Sequence, residues 1–125
     1  MTVLHLDSNH PLLINQLNDL GFTNDEDYTS SKKEIEAKIH LYDGFIIRSR
    51  FSIDKNFLDK ATNLKFIGRV GAGLENIDCK HAASKNIQLI AAPEGNRNAV
   101  GEHSLGMLLS LFNKLNTADN GVRNG

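Results

Sequence analysis

The sequence predicts an α/β fold: a parallel sheet of about five strands with helices on both faces. Three observations carry this. Short apolar runs alternate with segments of helical spacing, and such alternation builds βαβ units with right-handed crossovers. Phe45-Ile46-Ile47 is apolar at consecutive positions, as in a strand covered on both faces. Phe66 to Val70 runs straight into Gly71-Ala72-Gly73, a strand that ends in a tight turn. With 125 residues, 40% of them hydrophobic and 23% charged, the chain can bury one core.

Taken in order, Val3-Leu4-His5-Leu6 is the first strand, closed by Asp7-Ser8-Asn9. Ser8 or Asn9 caps the first helix, with Pro11 in its first turn. Leu12, Leu13, Leu17 and Leu20 recur at helical spacing, and Gly21 ends the helix. Phe22 to Tyr28 is acidic in the middle and supports only a weak edge strand. Ser30 or Ser31 caps a second helix, with Glu34 in its first turn and Ile35 and Ile39 on one face. Asp43-Gly44 turns the chain into the third strand, which ends in Arg48-Ser49-Arg50. Ser52 or Asp54 caps a third helix through Phe57, Leu58 and Ala61. After the glycine loop, Asp78 caps a short helix over His81 to Ser84, ended near Asn86. Ile87 to Ala92 is the fifth strand, halted by Pro93. Asn98 to Leu115 is the longest helix, apolar nearly all round between Leu105 and Phe112, which predicts burial on two sides. Asn116 to Gly125, rich in Gly and Asn, reads as a linker.

Several classes are disfavoured. A formal net charge of −1 gives no field for nucleic acid or an anionic membrane. No run approaches the ~18 apolar residues of a spanning helix. Met1 to Leu6 lacks the basic region and cleavage site of a secretory leader. Cys79 stands alone, which suits a reducing compartment. The five histidines lack ligand spacing, so no metal site is expected. The expectation is a cytoplasmic globular domain.

Ligands in open α/β sheets bind outside the carboxyl ends of the strands. Three strands end there in Arg48-Ser49, Gly71-Ala72-Gly73 and Pro93-Glu94-Gly95-Asn96. Together they offer a guanidinium, a hydroxyl, bare backbone amides and a carboxamide, a set suited to a small carboxylic acid. Plainer readings stand beside it. The glycines suit a simple turn, Arg48 a solvated strand-end charge, and Asn96 a helix cap. A dinucleotide fingerprint is not met: Asn76 occupies the third glycine position of Gly71-Ala72-Gly73-Leu74-Glu75-Asn76, and the following helix is short.

Three stretches together, Phe45–Arg50, Val70–Asp78 and Pro93–His103, resemble the D-isomer-specific 2-hydroxyacid dehydrogenases, nearest to their phosphoglycerate dehydrogenase branch. The resemblance is sharp from about Asp43 to Leu115. It implies a flavodoxin-like substrate domain over 1–97, a connecting helix over 98–115 toward a missing NAD-binding Rossmann domain, and a truncated linker over 116–125. It further implies that Arg48, Ser49, Gly71, Ala72, Gly73 and Asn96 hold the carboxylate of a 2-hydroxy or 2-keto acid, with Ala72 near the nicotinamide. The family's catalytic Arg, Glu and His would lie in the missing domain. His103 matches only the Glu102-His103 pair opening the connecting helix. The fragment would therefore bind NAD poorly and be inactive alone. With no cofactor domain to cover Leu105, Leu108, Leu109, Leu111 and Phe112, an exposed apolar patch leads to the expectation of a homodimer through the 98–115 helix. The competing reading is a non-enzymatic α/β module that senses a small acid or serves interaction.

Overall fold

The structure is a computed structural model describing all residues 1–125. It falls into two compact units, Met1–Ala92 and Pro93–Gly125.

The first unit is a five-stranded, wholly parallel sheet of β1 (Thr2–His5), β2 (Thr23–Glu26), β3 (Gly44–Ile47), β4 (Phe66–Arg69) and β5 (Gln88–Ala91), in the order β2-β1-β3-β4-β5. This is the flavodoxin-like order, whose switch point lies between β1 and β3. Central β3 is buried at every position, as its continuous apolar sequence requires. The acidic stretch forms the edge strand β2, mostly exposed.

The helices follow from local chemistry. Helix α1 (Pro11–Asp19) is capped by His10, whose ring accepts from the Leu12 amide, not by Ser8 or Asn9. Asn9 is engaged elsewhere, donating to the Asp7 carbonyl at 2.8 Å. Helix α2 (Lys32–Lys38) carries a full capping box of Ser31 and Glu34. Asp54 caps α3 (Lys55–Lys60), and Asp78 caps α4 (Cys79–Ser84). Gly21, at φ +80°, ends the first helical segment in the left-handed conformation that glycine tolerates.

One face of the sheet holds the core. Leu4, Leu6, Phe45, Ile47 and Ile67 pack there with Ile35 and Ile39, Phe57 and Leu58, and Ala82 from the α2, α3 and α4 side. Phe57 sits edge-on to Phe45, with ring centroids 5.6 Å apart, and close to Phe51 at 5.8 Å. The opposite face is thinly covered. Leu13 and Leu17 of α1 border an open apolar hollow of about 300 Å³ over Ile46, Phe66, Val70 and Ile90.

The second unit departs from expectation in three ways. Its long helix α5 runs Glu94–Phe112, so the expected junction at 97/98 falls inside it. Pro93 stands at the cap, where a missing N–H costs nothing, and Glu94 in the first turn suits the helix dipole. Two-sided burial of this helix is not met within the chain: Leu105, Met107, Leu108, Leu109, Leu111 and Phe112 are 48–77% exposed. Finally, residues 115–124 form a helix, α6 (Leu115–Asn124), after Lys114 reverses the chain at φ +50°. Leu115, Ala118 and Val122 mark one face at i, i+3 and i+7, and Arg123 pairs with Asp119 at 2.9 Å. That spacing outweighs the Gly and Asn content that suggested a linker.

Phe57→Ala should cost about 3–5 kcal/mol, because three rings lose their shared contact and a closed site cannot collapse. Against a typical domain stability of about 5–15 kcal/mol, that is a large share. Urea denaturation followed by circular dichroism checks it; a loss below about 1 kcal/mol would contradict this packing.

Candidate functional site

In a parallel sheet the carboxyl ends of all strands share one edge, and here that edge collects the polar residues after β1, β3 and β4. Each loop is anchored by the backbone. Leu6 N–H donates to Ile46 O at 2.9 Å, and Val70 N–H to Ile47 O at 2.9 Å, so the ladder continues one rung past the strands. Beyond the glycine loop, Ile53 and Ile77 form a parallel bridge, with Ile53 N–H to Asn76 O at 2.7 Å and Asp78 N–H to Ile53 O at 2.9 Å. Ala92 N–H closes the other side onto Gly71 O at 2.9 Å. The glycine loop is therefore fixed before and after its three bare residues.

Those residues keep their donors free. Gly71, Ala72 and Gly73 donate none of the backbone hydrogen bonds of the chain, and Ala72 is exposed. Gly71 holds φ +152°, a region L side chains rarely enter. A Cβ there would also fall 1.5 Å from Nη1 of Arg69, because the Arg69 guanidinium fills that space. At Gly73 a Cβ would meet the Glu75 carboxylate at 2.1 Å. The loop is thus flanked by one cation and one anion of its own.

Arg48 and Ser49 lie exposed at the end of β3. The Arg48 guanidinium forms no ion pair within the chain, while its backbone N–H donates to the Asp7 carboxylate at 2.6 Å. The structure therefore brings Arg48, Ser49, Gly71, Ala72 and Gly73 to a single sheet edge. Asn96 belongs to the other unit, exposed in the first turn of α5 rather than in a loop after β5.

Three functional candidates escaped the sequence reading. Asp7 stands at the β1/β3 switch point; strand order, which no local pattern reveals, makes it significant. Arg69 carries a buried Nε with no partner beside the glycine loop. It sits within the strand pattern and looks like an ordinary half-exposed strand residue. Arg50 bonds to backbone carbonyls of Leu6, Asp27 and Ser30. In the sequence it stands only as the last residue of the Phe45–Arg50 stretch, two positions after Arg48.

A nicotinamide dinucleotide does not fit the residues present. Its pyrophosphate needs a glycine turn running directly into a helix N-terminus. Here the glycine loop leads to the Ile53–Ile77 bridge, and α4 begins only at Cys79 with Asp78 across its cap. No cluster of three or more His, Cys, Asp or Glu side chains has metal-binding geometry. No helix is long and apolar enough to cross a membrane.

Against known proteins, the family model described as D-isomer specific 2-hydroxyacid dehydrogenase, catalytic domain, matches residues 3–122. D-3-phosphoglycerate dehydrogenase of Archaeoglobus fulgidus is 34% identical over 95 residues, covering 76% of this chain and 18% of that protein. The PH0520 protein of Pyrococcus horikoshii superposes with a TM-score of 0.91 at 26% identity, over 99% of this chain and 37% of that one. The NAD+-bound 3-phosphoglycerate dehydrogenase of Entamoeba histolytica gives 0.69 at 25% identity, over 88% and 38%. The chain spans about a fifth of the length of the curated relatives it matches.

The edge also has a pH signature. Lys38, at 2.5 Å, holds the Asp27 carboxyl well below the usual carboxylate range, aided by Ser30 and Thr29. A depressed folded pKa contributes stability above the unfolded value near 4, lost progressively as pH falls from there. Asp27→Asn should therefore destabilise the chain at pH 7, and the gap from wild type should begin to narrow below about pH 4 and shrink further as pH falls toward the depressed folded value. Denaturation midpoints at pH 7, 4 and 2.5 test this; a gap as wide at pH 2.5 as at pH 7 would contradict it.

Proposed function

The chain belongs to the D-isomer specific 2-hydroxyacid dehydrogenases, and on that premise we propose that it is the substrate-binding part of an NAD-dependent, 3-phosphoglycerate dehydrogenase-like enzyme. In this reading the compact unit up to Ala92 grips the substrate, and α5 connects it to the cofactor-bearing part of the parent protein. One observation carries the proposal: unpartnered amides of Gly71, Ala72 and Gly73 share a sheet edge with the unpaired guanidinium of Arg48. Backbone donors and a planar cation together suit the carboxylate of a 2-hydroxy or 2-keto acid. Ser49 adds a hydroxyl. Ala72, small and exposed, leaves room for the nicotinamide ring.

Hydride transfer requires the parent's NAD-binding domain, since these residues form no pyrophosphate cradle. The purified chain therefore turns over no NADH with hydroxypyruvate. Its setting is the cytoplasm, consistent with the single Cys79. The alternative, a non-enzymatic module with an inert glycine turn, predicts no acid binding at all.

A titration with hydroxypyruvate followed by amide NMR separates the two. Shifts confined to Gly71–Gly73 and Arg48–Ser49, abolished by Arg48→Ala, support the proposal. Glu75→Gln removes the carboxylate lying against Gly73 and should tighten binding several-fold, since Glu75 is exposed and a like charge about 4 Å away in bulk water is worth about 1 kcal/mol. A flat wild-type titration favours the inert module.

The exposed face of α5 supports a homodimer through residues 98–115, because apolar patches of this extent invite association. Light scattering should give twice the 13.8 kDa chain mass. A monomer across all concentrations would overturn this assignment.

A further inference from the structure

Arg50 is the charged side chain of the Arg48–Arg50 turn that the fold itself consumes. Its Nη1 donates to Leu6 O at 2.8 Å and to Asp27 O at 2.6 Å, and its Nη2 donates to Ser30 O. These carbonyls lie just past β1 and β2 and ahead of α2; the last rungs there, Leu6 N–H to Ile46 O and Asp27 N–H to His5 O, use the amides and leave the Leu6 and Asp27 carbonyls to Arg50. The guanidinium also rests 5.7 Å from the ring centroid of Phe51, which packs on the core. On the other flank, Asp7 Oδ2 accepts the Arg48 amide at 2.6 Å. Two ties thus bracket the turn, and neither uses the exposed side chains of Arg48 and Ser49.

We infer that Arg50 is a positioning residue: by tying three backbone carbonyls beyond the strand ends, it presets the Arg48–Ser49 turn for an anionic ligand it does not itself touch. This rests on the carboxylate-binding reading above. A long side chain aims only as well as its Cα is held, and a displacement near 1 Å at a binding group can cost about a hundredfold. Lysine cannot substitute, because a single ammonium lacks the planar fork that reaches several carbonyls at once.

The test compares the full chain with Arg50→Lys and Arg50→Met, well below each melting midpoint, by amide hydrogen exchange without ligand and by hydroxypyruvate titration. Exchange at the Arg48 amide should rise about tenfold or more in both variants, while free-state shifts of Gly71–Gly73 stay put. Hydroxypyruvate affinity should fall about tenfold or more. A merely structural Arg50 would lower the melting midpoint and move neither readout. Should Arg50→Met not fold, Arg50→Lys decides. Unchanged Arg48 exchange overturns the inference whether or not hydroxypyruvate binds, and so does faster exchange with unchanged affinity. A wild type that binds no hydroxypyruvate, with faster Arg48 exchange in the variants, refutes the carboxylate reading and upholds Arg50 as the residue that sets the turn.

Discussion

Parallel pairing is the constraint from which the rest follows. With β1, β3, β4 and β5 all running the same way, every strand must deliver its outgoing loop to one edge, and every return must cross a face as a helix. Burial of β3 at all four positions fixes the centre of the sheet. Order β2-β1-β3-β4-β5 then divides the outgoing loops at the β1/β3 boundary. The polar edge is thus a consequence of topology, and its specificity comes from what the loops carry.

Those loops combine rigidity with unspent donors. The Val70–Ile47 rung, the Ala92–Gly71 rung and the Ile53–Ile77 bridge hold the glycine loop on both sides. Its amides remain free, so a ligand needs little reordering of the protein to bind, and preorganisation of this kind is worth more than added contacts. Charge at the edge is closely matched. Arg48, Arg50, Arg69 and Lys38 lie among Asp7, Asp27 and Glu75, cations and anions interspersed. Strong long-range steering is therefore not expected, and recognition depends on short-range geometry. Peripheral ion pairs such as Lys60–Glu36 at 2.5 Å and Lys65–Asp43 at 2.7 Å are partly exposed and contribute about 0–1 kcal/mol each.

Much of the fold was legible because its signals are local and redundant. The apolar run of β3, the Ser31–Glu34 box, the Asp54 and Asp78 caps and the glycine stop after β4 each specify an element on their own. Where two local signals competed, the sequence misled. Ser8 and Asn9 looked like the caps of α1, yet Asn9 is drawn to the Asp7 carbonyl and His10 takes the cap. Gly and Asn in the tail masked the Leu115–Ala118–Val122 face of α6. Site residues at strand ends were legible as types. Their partners were not, because Asp7–Arg48 and Arg50–Leu6 pair residues about forty positions apart, and no window of sequence displays such a pair. Membership of the dehydrogenase family was visible from the order of three motifs, which is information beyond any one of them.

The function proposed above rests on a carboxylate clamp formed by the free amides and Arg48. A crystal structure of the chain grown with tartronate, a 2-hydroxy dicarboxylate, tests it most directly. One carboxylate should lie within about 2.7–3.2 Å of amide nitrogens in Gly71–Gly73, with the Arg48 guanidinium closing from the β3 side. Tartronate bound elsewhere, or an edge whose Gly71–Gly73 amides bind no anion at saturating concentration, would contradict it.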